Sequence, residues 1–77
     1  MPKLNYEVLQ SASATKVETT PILNLDGLKL DGDLFILFSC QYLAFLTARY
    51  NMLSSLKGVE HCICLWILDL QQNPVFL

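Results

Sequence analysis

The sequence predicts a small protein of the α/β or α+β class that forms a single domain over residues 1–77. Two Asp-Gly dipeptides separate short apolar runs in the first half, a helix-like pattern follows them, and a second apolar run fills the last third. A chain of 77 residues has room for one small core. The expected organisation is a β-rich part over 4–38, a helix over 40–57, a strand over 60–69 and a tail over 71–77.

Composition excludes two classes of protein. Hydrophobic residues make up 53% of the chain and charged residues 16%, and the mean hydropathy is +0.41. A disordered segment would show the opposite balance, so this chain must bury a core. The formal net charge is −2 and the isoelectric point is near 5.0, with no cluster of Lys or Arg. Because phosphate neutralisation supplies most non-specific affinity for nucleic acid, no nucleic-acid partner is expected.

The pattern of the N-terminal half predicts β-hairpins. Residues 4–9 and 16–20 are short β-prone pieces separated by small polar residues. Asp26-Gly27 lies between two alternating runs and predicts a hairpin turn, which would place four leucines on one face of the sheet: Leu23, Leu25, Leu28 and Leu30. Asp31-Gly32 is expected to reverse the chain again. No repeat of 20 residues or more stands out.

The pattern of the second half predicts a β-α-β unit. Residues 34–38 are apolar on both faces and predict a buried strand, while residues 40–57 place an apolar stripe along one side of a helix that Gly58 ends. The run around 60–69 predicts a C-terminal strand parallel to the first. The stretch 34–74 resembles the first β-α-β unit of thioredoxin-like domains of the clock-protein type, through Asp69 and Asn73-Pro74 after a hydrophobic strand. That resemblance covers about half of the chain.

Arg49 is the most informative charged residue. On a helical wheel it lies at the centre of the apolar stripe, where an unpaired guanidinium would be costly. Three interpretations remain open. Its head extends past the edge of the core, or it pairs with Asp69 or Glu60 inside the fold, or it binds a carboxylate or phosphate of a partner.

Other polar groups predict no metal or catalytic site. His61 and the pair Cys62 and Cys64 would point to opposite faces of a strand, so these cysteines are expected to be buried hydrophobic residues, as is Cys40. The aspartates around Gly27 and Gly32 match turn chemistry rather than a calcium loop. The sequence contains one His and none of the common nucleophile or phosphate-binding motifs. We therefore expect no enzyme activity, no cofactor and no small-molecule substrate.

The expected function is protein–protein interaction. A single helix covers only one face of a sheet, so the other face needs a partner, either a second copy in a homodimer or another subunit. The chain would then act as an adaptor, inhibitor or accessory subunit. The predicted contact residues are Arg49, Phe35, Phe38, Trp66 and Phe76.

A membrane-associated subunit anchored through residues 34–53 is the alternative. The apolar stretch before Arg49 is shorter than the roughly 20 residues that cross a bilayer. An odd number of cysteines and an N-terminus without an apolar leader favour a reducing, cytoplasmic location.

Overall fold

A computed structural model of the chain describes residues 2–74. Within these residues one α-helix, α1, spans Tyr6–Ala12. The strands are β1 Ile22–Asn24, β2 Asp31–Gly32, β3 Phe45–Thr47, β4 Met52–Leu53 and β5 Ile67–Asp69. Short 3₁₀ helices lie over Val17–Thr19, Phe35–Ser39 and Val59–His61. The mixed α/β class predicted from the sequence is confirmed.

All strand pairs are parallel and form two sheets in the described part of the chain. The larger sheet has the order β1-β3-β5, and the smaller sheet pairs β2 with β4. Phe45 lies 23 positions after its neighbour Ile22, and Ile67 lies 22 positions after Phe45. The chain therefore winds in successive coils that stack on one another: the first over 22–44, the second over 45–66 and the third from 67 onward. This is the architecture of a solenoid.

The stacking exposes a sequence repeat that the sequence analysis missed. Buried residues of the first coil recur in the sequence of the second, with one extra residue in the first coil between Leu30 and Leu34. The core residues that correspond in sequence are Leu23 and Leu46, Leu25 and Ala48, Leu30 and Leu53, Leu34 and Leu56, Leu37 and Val59, Cys40 and Cys62, and Leu43 and Leu65. Replacement of leucine by Ala48 and Val59 in the second coil, together with the extra residue in the first, obscures the period.

Backbone geometry repeats with the same spacing. Gly27, Tyr50 and Gln72 lie 23 and 22 residues apart, and each has a positive φ, at 68°, 60° and 62°. This turn carries each coil away from the larger sheet. The Asp26-Gly27 turn predicted from the sequence is present, but the residues after it form no strand, and β1 pairs with β3 instead. The hairpin prediction was wrong, and Leu28 is exposed rather than packed with the other three leucines.

The N-terminal segment caps the first coil with a helix instead of the β-prone pieces expected over 4–9 and 16–20. Asn5 begins α1, since its side-chain oxygen accepts a hydrogen bond from the Val8 amide at 2.9 Å. Leu9 of α1 is fully buried in the common core. The Asp31 amide donates to the Pro2 carbonyl at 2.9 Å, so residue 2 lies beside the first coil. Asp31-Gly32 itself forms β2 and does not reverse the chain.

The predicted helix over 40–57 is also wrong, because this segment contains β3 and β4. The helical wheel grouped residues that the structure separates: Phe45 and Met52 are exposed, whereas Leu46 and Leu53 are buried. Alternation over a strand of three residues is too brief to outweigh an accidental helical period. Arg49 at the centre of the supposed apolar stripe was the sign that the helix was incorrect.

The remaining strand predictions are corrected in the same way. Residues 35–39 form a 3₁₀ helix rather than a strand, and the predicted strand over 60–69 is reduced to Ile67–Asp69 behind another 3₁₀ helix. The last strand is parallel to its neighbour, as predicted, but that neighbour is β3 and not a strand over 34–38. The β-α-β unit that suggested a thioredoxin-like resemblance is absent, since 34–74 holds no α-helix.

The stretch 34–53, considered as a membrane anchor, folds into a 3₁₀ helix and two short strands. Among residues 2–74 there is no helix of sufficient length and apolar character to cross a bilayer.

Candidate functional site

The outer face of the larger sheet is the candidate functional site. The parallel register aligns residues of the three strands in rows across the sheet. The first residue of each strand is exposed, and of the third residues Asn24 is exposed whereas Thr47 is buried. Two rows belong to the strands themselves, and a third belongs to the residues just after them. These rows are Ile22, Phe45 and Ile67; Asn24, Thr47 and Asp69; and Asp26, Arg49 and Gln71. We call this surface the sheet face.

An apolar row occupies one side of the sheet face. Ile22 is 60% exposed, Phe45 39% and Ile67 45%. Because the strands are paired in register, the three side chains are neighbours on a continuous strip. Trp66 immediately precedes β5 in the chain and is 87% exposed. Large apolar side chains grouped on an exposed sheet are typical of an interaction surface.

An ionic cluster occupies the other side of the sheet face. The Arg49 guanidinium donates to Asp26 Oδ2 through Nε at 3.2 Å and through Nη2 at 3.0 Å. Asp26 Oδ1 accepts from the Arg49 amide and from the Thr47 hydroxyl, both at 2.7 Å. On the other side of Arg49, Asp69 Oδ2 lies 3.9 Å from Nε. Three consecutive coils thus each contribute one charged residue to the cluster.

The cluster stabilises the charged form of Asp26. The hydrogen bond from the Thr47 hydroxyl, supported by those from the Arg49 amide and guanidinium, lowers the pKa of the Asp26 carboxyl. Partial desolvation opposes this shift without cancelling it. Asp26 therefore keeps its charge to lower pH than an ordinary carboxyl, and its Oδ2 accepts two hydrogen bonds from the Arg49 guanidinium.

The structure shows that Arg49 forms an internal ion pair, which was one of the three interpretations of this residue. Its main partner is Asp26, which the sequence analysis assigned only to a turn. Asp69, one of the two partners predicted from the sequence, makes a longer second contact with Arg49. Glu60, the other predicted partner, does not contact Arg49, since its carboxylate accepts a hydrogen bond from the Gly58 amide. The Arg49 side chain remains 43% exposed. Arg49 is thus paired with Asp26 inside the chain, and the exposed part of its side chain is still accessible to a partner.

Tyr50 is a candidate contact residue that sequence reasoning missed. It follows Arg49, has a φ of 60° and is exposed. Bulky residues in the left-handed region are uncommon and often mark functional positions. The equivalent residue of the first coil is Gly27, which makes the same turn without strain. Only the alignment of the coils reveals that an aromatic side chain replaces glycine here.

Phe35 and Phe38, predicted as contact residues, lie away from the sheet face on a 3₁₀ helix. Their ring centroids are 5.6 Å apart, and His61 meets Phe35 edge-on at 6.3 Å. Lys57 Nζ lies 5.5 Å from the centre of the Phe35 ring. Both phenylalanines are exposed. They form a separate surface, the aromatic pair. Phe76, the last predicted contact residue, falls outside the described residues.

The cysteines divide into two environments. Cys40 and Cys62 are buried in equivalent positions of adjacent coils, as predicted, whereas Cys64 is exposed, contrary to expectation. Burial raises the pKa of both inner thiols, that of Cys62 to about 11. All three are free thiols. Within residues 2–74 no three His, Cys, Asp or Glu side chains lie close enough together to hold a metal ion.

Comparison with known proteins adds no assignment. No protein-family model, no curated protein and no solved structure matches this chain.

Proposed function

We propose that the chain is a non-catalytic protein-binding module that uses the sheet face. The repeated positions support this proposal, because they follow the pattern L-x-x-L-x-L-x-x-N-x-L that characterises leucine-rich repeats. In the second coil the pattern runs from Leu43 through Asn51 to Leu53, with Ala48 in place of the third leucine. In the third coil Leu65, Leu68, Leu70 and Asn73 occupy the same positions. Solenoids of stacked repeats bind partners across extended surfaces.

The observation that carries the proposal is the composition of the sheet face. Ile22, Phe45 and Ile67 expose a row of apolar side chains on a rigid parallel sheet, and the ionic cluster lies next to it. Interface cores are rich in aromatic residues and arginine and are surrounded by polar groups, which matches this arrangement. Within this proposal Phe45 and Trp66 supply apolar contact, while Arg49 offers its exposed side to an acceptor on the partner.

A matched pair of variants tests which surface binds. Phe45 on the sheet face and Phe38 in the aromatic pair have similar exposure, so Phe45→Ser and Phe38→Ser remove the same side chain from two different surfaces. The tagged chain and both variants are incubated with extract from the native source, and bound proteins are compared by quantitative mass spectrometry. We expect Phe45→Ser to lose the proteins that bind the unmodified chain and Phe38→Ser to retain them.

Two other outcomes would contradict the proposal. Retention of the same proteins by both variants would mean that the sheet face binds nothing, and loss with Phe38→Ser alone would move the site to the aromatic pair. Thermal unfolding of each variant checks that neither change acts by destabilising the chain. Sedimentation of the purified chain reports whether a second copy occupies the face, as a homodimer would require.

A further inference from the structure

The ionic cluster of the sheet face leaves hydrogen-bonding groups of Arg49 and Asp69 without partners among the described residues. Arg49 donates to Asp26 Oδ2 through Nε at 3.2 Å and through Nη2 at 3.0 Å, so one edge of its guanidinium is occupied. Within residues 2–74 its Nη1 donates to no acceptor, and the Arg49 side chain is partly exposed. This nitrogen is therefore an available donor on the sheet face.

Asp69 provides an available acceptor close to this donor. Its Oδ1 accepts from the Gln71 amide at 3.2 Å. Its Oδ2 lies 3.9 Å from Arg49 Nε, which is close enough for an ion pair but too long for a hydrogen bond, and no described residue donates to it. Asp69 belongs to β5 and Arg49 follows β3, and these two strands are paired. The space between the two side chains therefore lies within the sheet face and not at the end of the solenoid.

The charges already present restrict what binds between Arg49 and Asp69. Asp26 and Asp69 both lie within ion-pair distance of Arg49, so its positive charge is balanced within the chain. A carboxylate of a partner has no hydrogen to donate and would lie beside the like charge of Asp69. A Lys or Arg of a partner has no acceptor for Arg49 and would lie beside a like charge as well. The primary amide of Asn or Gln is uncharged and both accepts and donates, so it matches the two available groups.

The apolar row of the sheet face lies within reach of the same partner segment. Ile67 precedes Asp69 by two residues on β5, and alternate residues of a strand are about 7 Å apart. Phe45 is the neighbour of Ile67 in the parallel register. Alternate side chains of an extended partner segment have the same spacing. One segment can therefore contact the apolar row and the space beside Arg49 together.

We propose that the partner of the sheet face is a protein segment that places an Asn or Gln side chain between Arg49 and Asp69, and an apolar side chain on the row of Phe45 and Ile67. The amide oxygen accepts from Arg49, and the amide nitrogen donates to Asp69. This inference rests on the proposed function and adds the chemistry of the partner. The amide takes the place of the carboxylate or phosphate considered from the sequence, because Arg49 acts as a hydrogen-bond donor whose charge is already balanced.

A library of random peptides displayed on phage provides the probe. Peptides are selected on the purified chain, and those that also bind the Phe45→Ser variant are discarded, so the remaining peptides depend on the sheet face. Their affinities are measured by fluorescence anisotropy of labelled synthetic copies. We expect these peptides to share an Asn or Gln next to an apolar residue. Replacing that amide residue by Glu or by Lys should weaken binding by about ten-fold, because each change loses one hydrogen bond and adds a like charge.

Three protein variants assign the preference to the two side chains. Asp69→Asn should bring the amide peptide and its Glu form to nearly equal affinity, since the repelling carboxylate is gone. Arg49→Met should make the Lys form the tightest of the three, because only carboxylates remain in the cluster. Glu7→Gln removes one carboxylate from α1 and should leave all preferences unchanged.

The outcomes separate this inference from the proposed function. Phe45-dependent peptides that need no Asn or Gln, or whose Glu or Lys forms bind the unmodified chain equally well, would overturn the inference and leave the proposed function intact. If every selected peptide binds Phe45→Ser as well, the sheet face is not a binding surface, and the proposed function fails together with the inference.

Discussion

Asn51 shows how one side chain joins two coils. Its Oδ1 accepts from the amides of Leu28 and Leu30, at 3.1 and 3.0 Å, and its Nδ2 donates to the carbonyls of Leu25 and Ala48, at 2.8 and 3.0 Å. Three of these four partners belong to the preceding coil. Asn51 is 3% exposed, so water cannot replace these hydrogen bonds. Asparagine is suited to this position because its amide both donates and accepts.

We expect Asn51→Ala to lower the free energy of unfolding by about 3 kcal/mol, because several buried backbone groups lose their partners at once. Urea denaturation followed by circular dichroism measures the change. Asn24→Ala serves as the control, since the exposed Asn24 side chain accepts only from the Asp26 amide, and its loss should cost less than about 1 kcal/mol. Equal losses for the two variants would contradict the role assigned to Asn51.

At the scale of elements, Gly58 connects β4 to the 3₁₀ helix over Val59–His61 and packs against the coil before it. Its φ is 108°, and a Cβ at this position would lie 2.3 Å from the Leu34 carbonyl oxygen and from the Phe35 Cα. Both atoms belong to the backbone, so neither can move aside cheaply. Gly58 was expected to end a helix, but the reason for glycine here is close contact between two coils.

Gly58→Ala should therefore destabilise the chain by more than about 3 kcal/mol, combining a backbone clash with an unfavourable φ. Gly27→Ala is the matched comparison, because Gly27 also has a positive φ but open space around its Cα. Only the conformational cost of about 1 kcal/mol applies there. Thermal unfolding of both variants gives the comparison, and similar melting temperatures would show that coil contact does not determine the identity of residue 58.

The contrast between elements also explains which predictions failed. The hairpin over Leu23–Leu30 and the helix over 40–57 were inferred from neighbours in sequence, whereas the strands pair with residues 21 to 23 positions away. The turn at Asp26-Gly27 depends only on local sequence, and its prediction was correct. The pairing partner of a three-residue strand depends on which leucines stack across coils, and local periodicity holds no information on that.

At the scale of the whole molecule, the stacked coils share one core that runs from Leu4 to Cys62. Cys40 and Cys62 lie in this core with raised thiol pKa values, and Cys64 is exposed close to them in sequence. Because reaction of a thiol requires its thiolate and access to solvent, the three cysteines report the integrity of the core.

Native protein treated with Ellman's reagent at mildly alkaline pH should release one equivalent of thiol rapidly, from Cys64. The other two should react only as fast as the core opens, and all three should react at once in denaturant. Cys64→Ser is expected to remove the fast phase alone. Rapid reaction of two or three thiols in the native chain would mean that the coils separate readily and do not form a cooperative core.

The sequence by itself determined that this chain buries a core, that its class is mixed α/β and that its last strand is parallel, and it gave an internal ion pair as one of three interpretations of Arg49. These follow from composition, from apolar runs without a polar face and from the cost of an unpaired charge. Only the tertiary structure decided that the core is a column of stacked coils, that Phe45 faces solvent while Leu46 does not, and that the main partner of Arg49 is Asp26. The physical reason is that each of these depends on the register between parallel strands of successive coils. That register is set by many leucine contacts together, and Ala48 and Val59 replace leucines of the first coil in a way that obscures the repeat in the sequence.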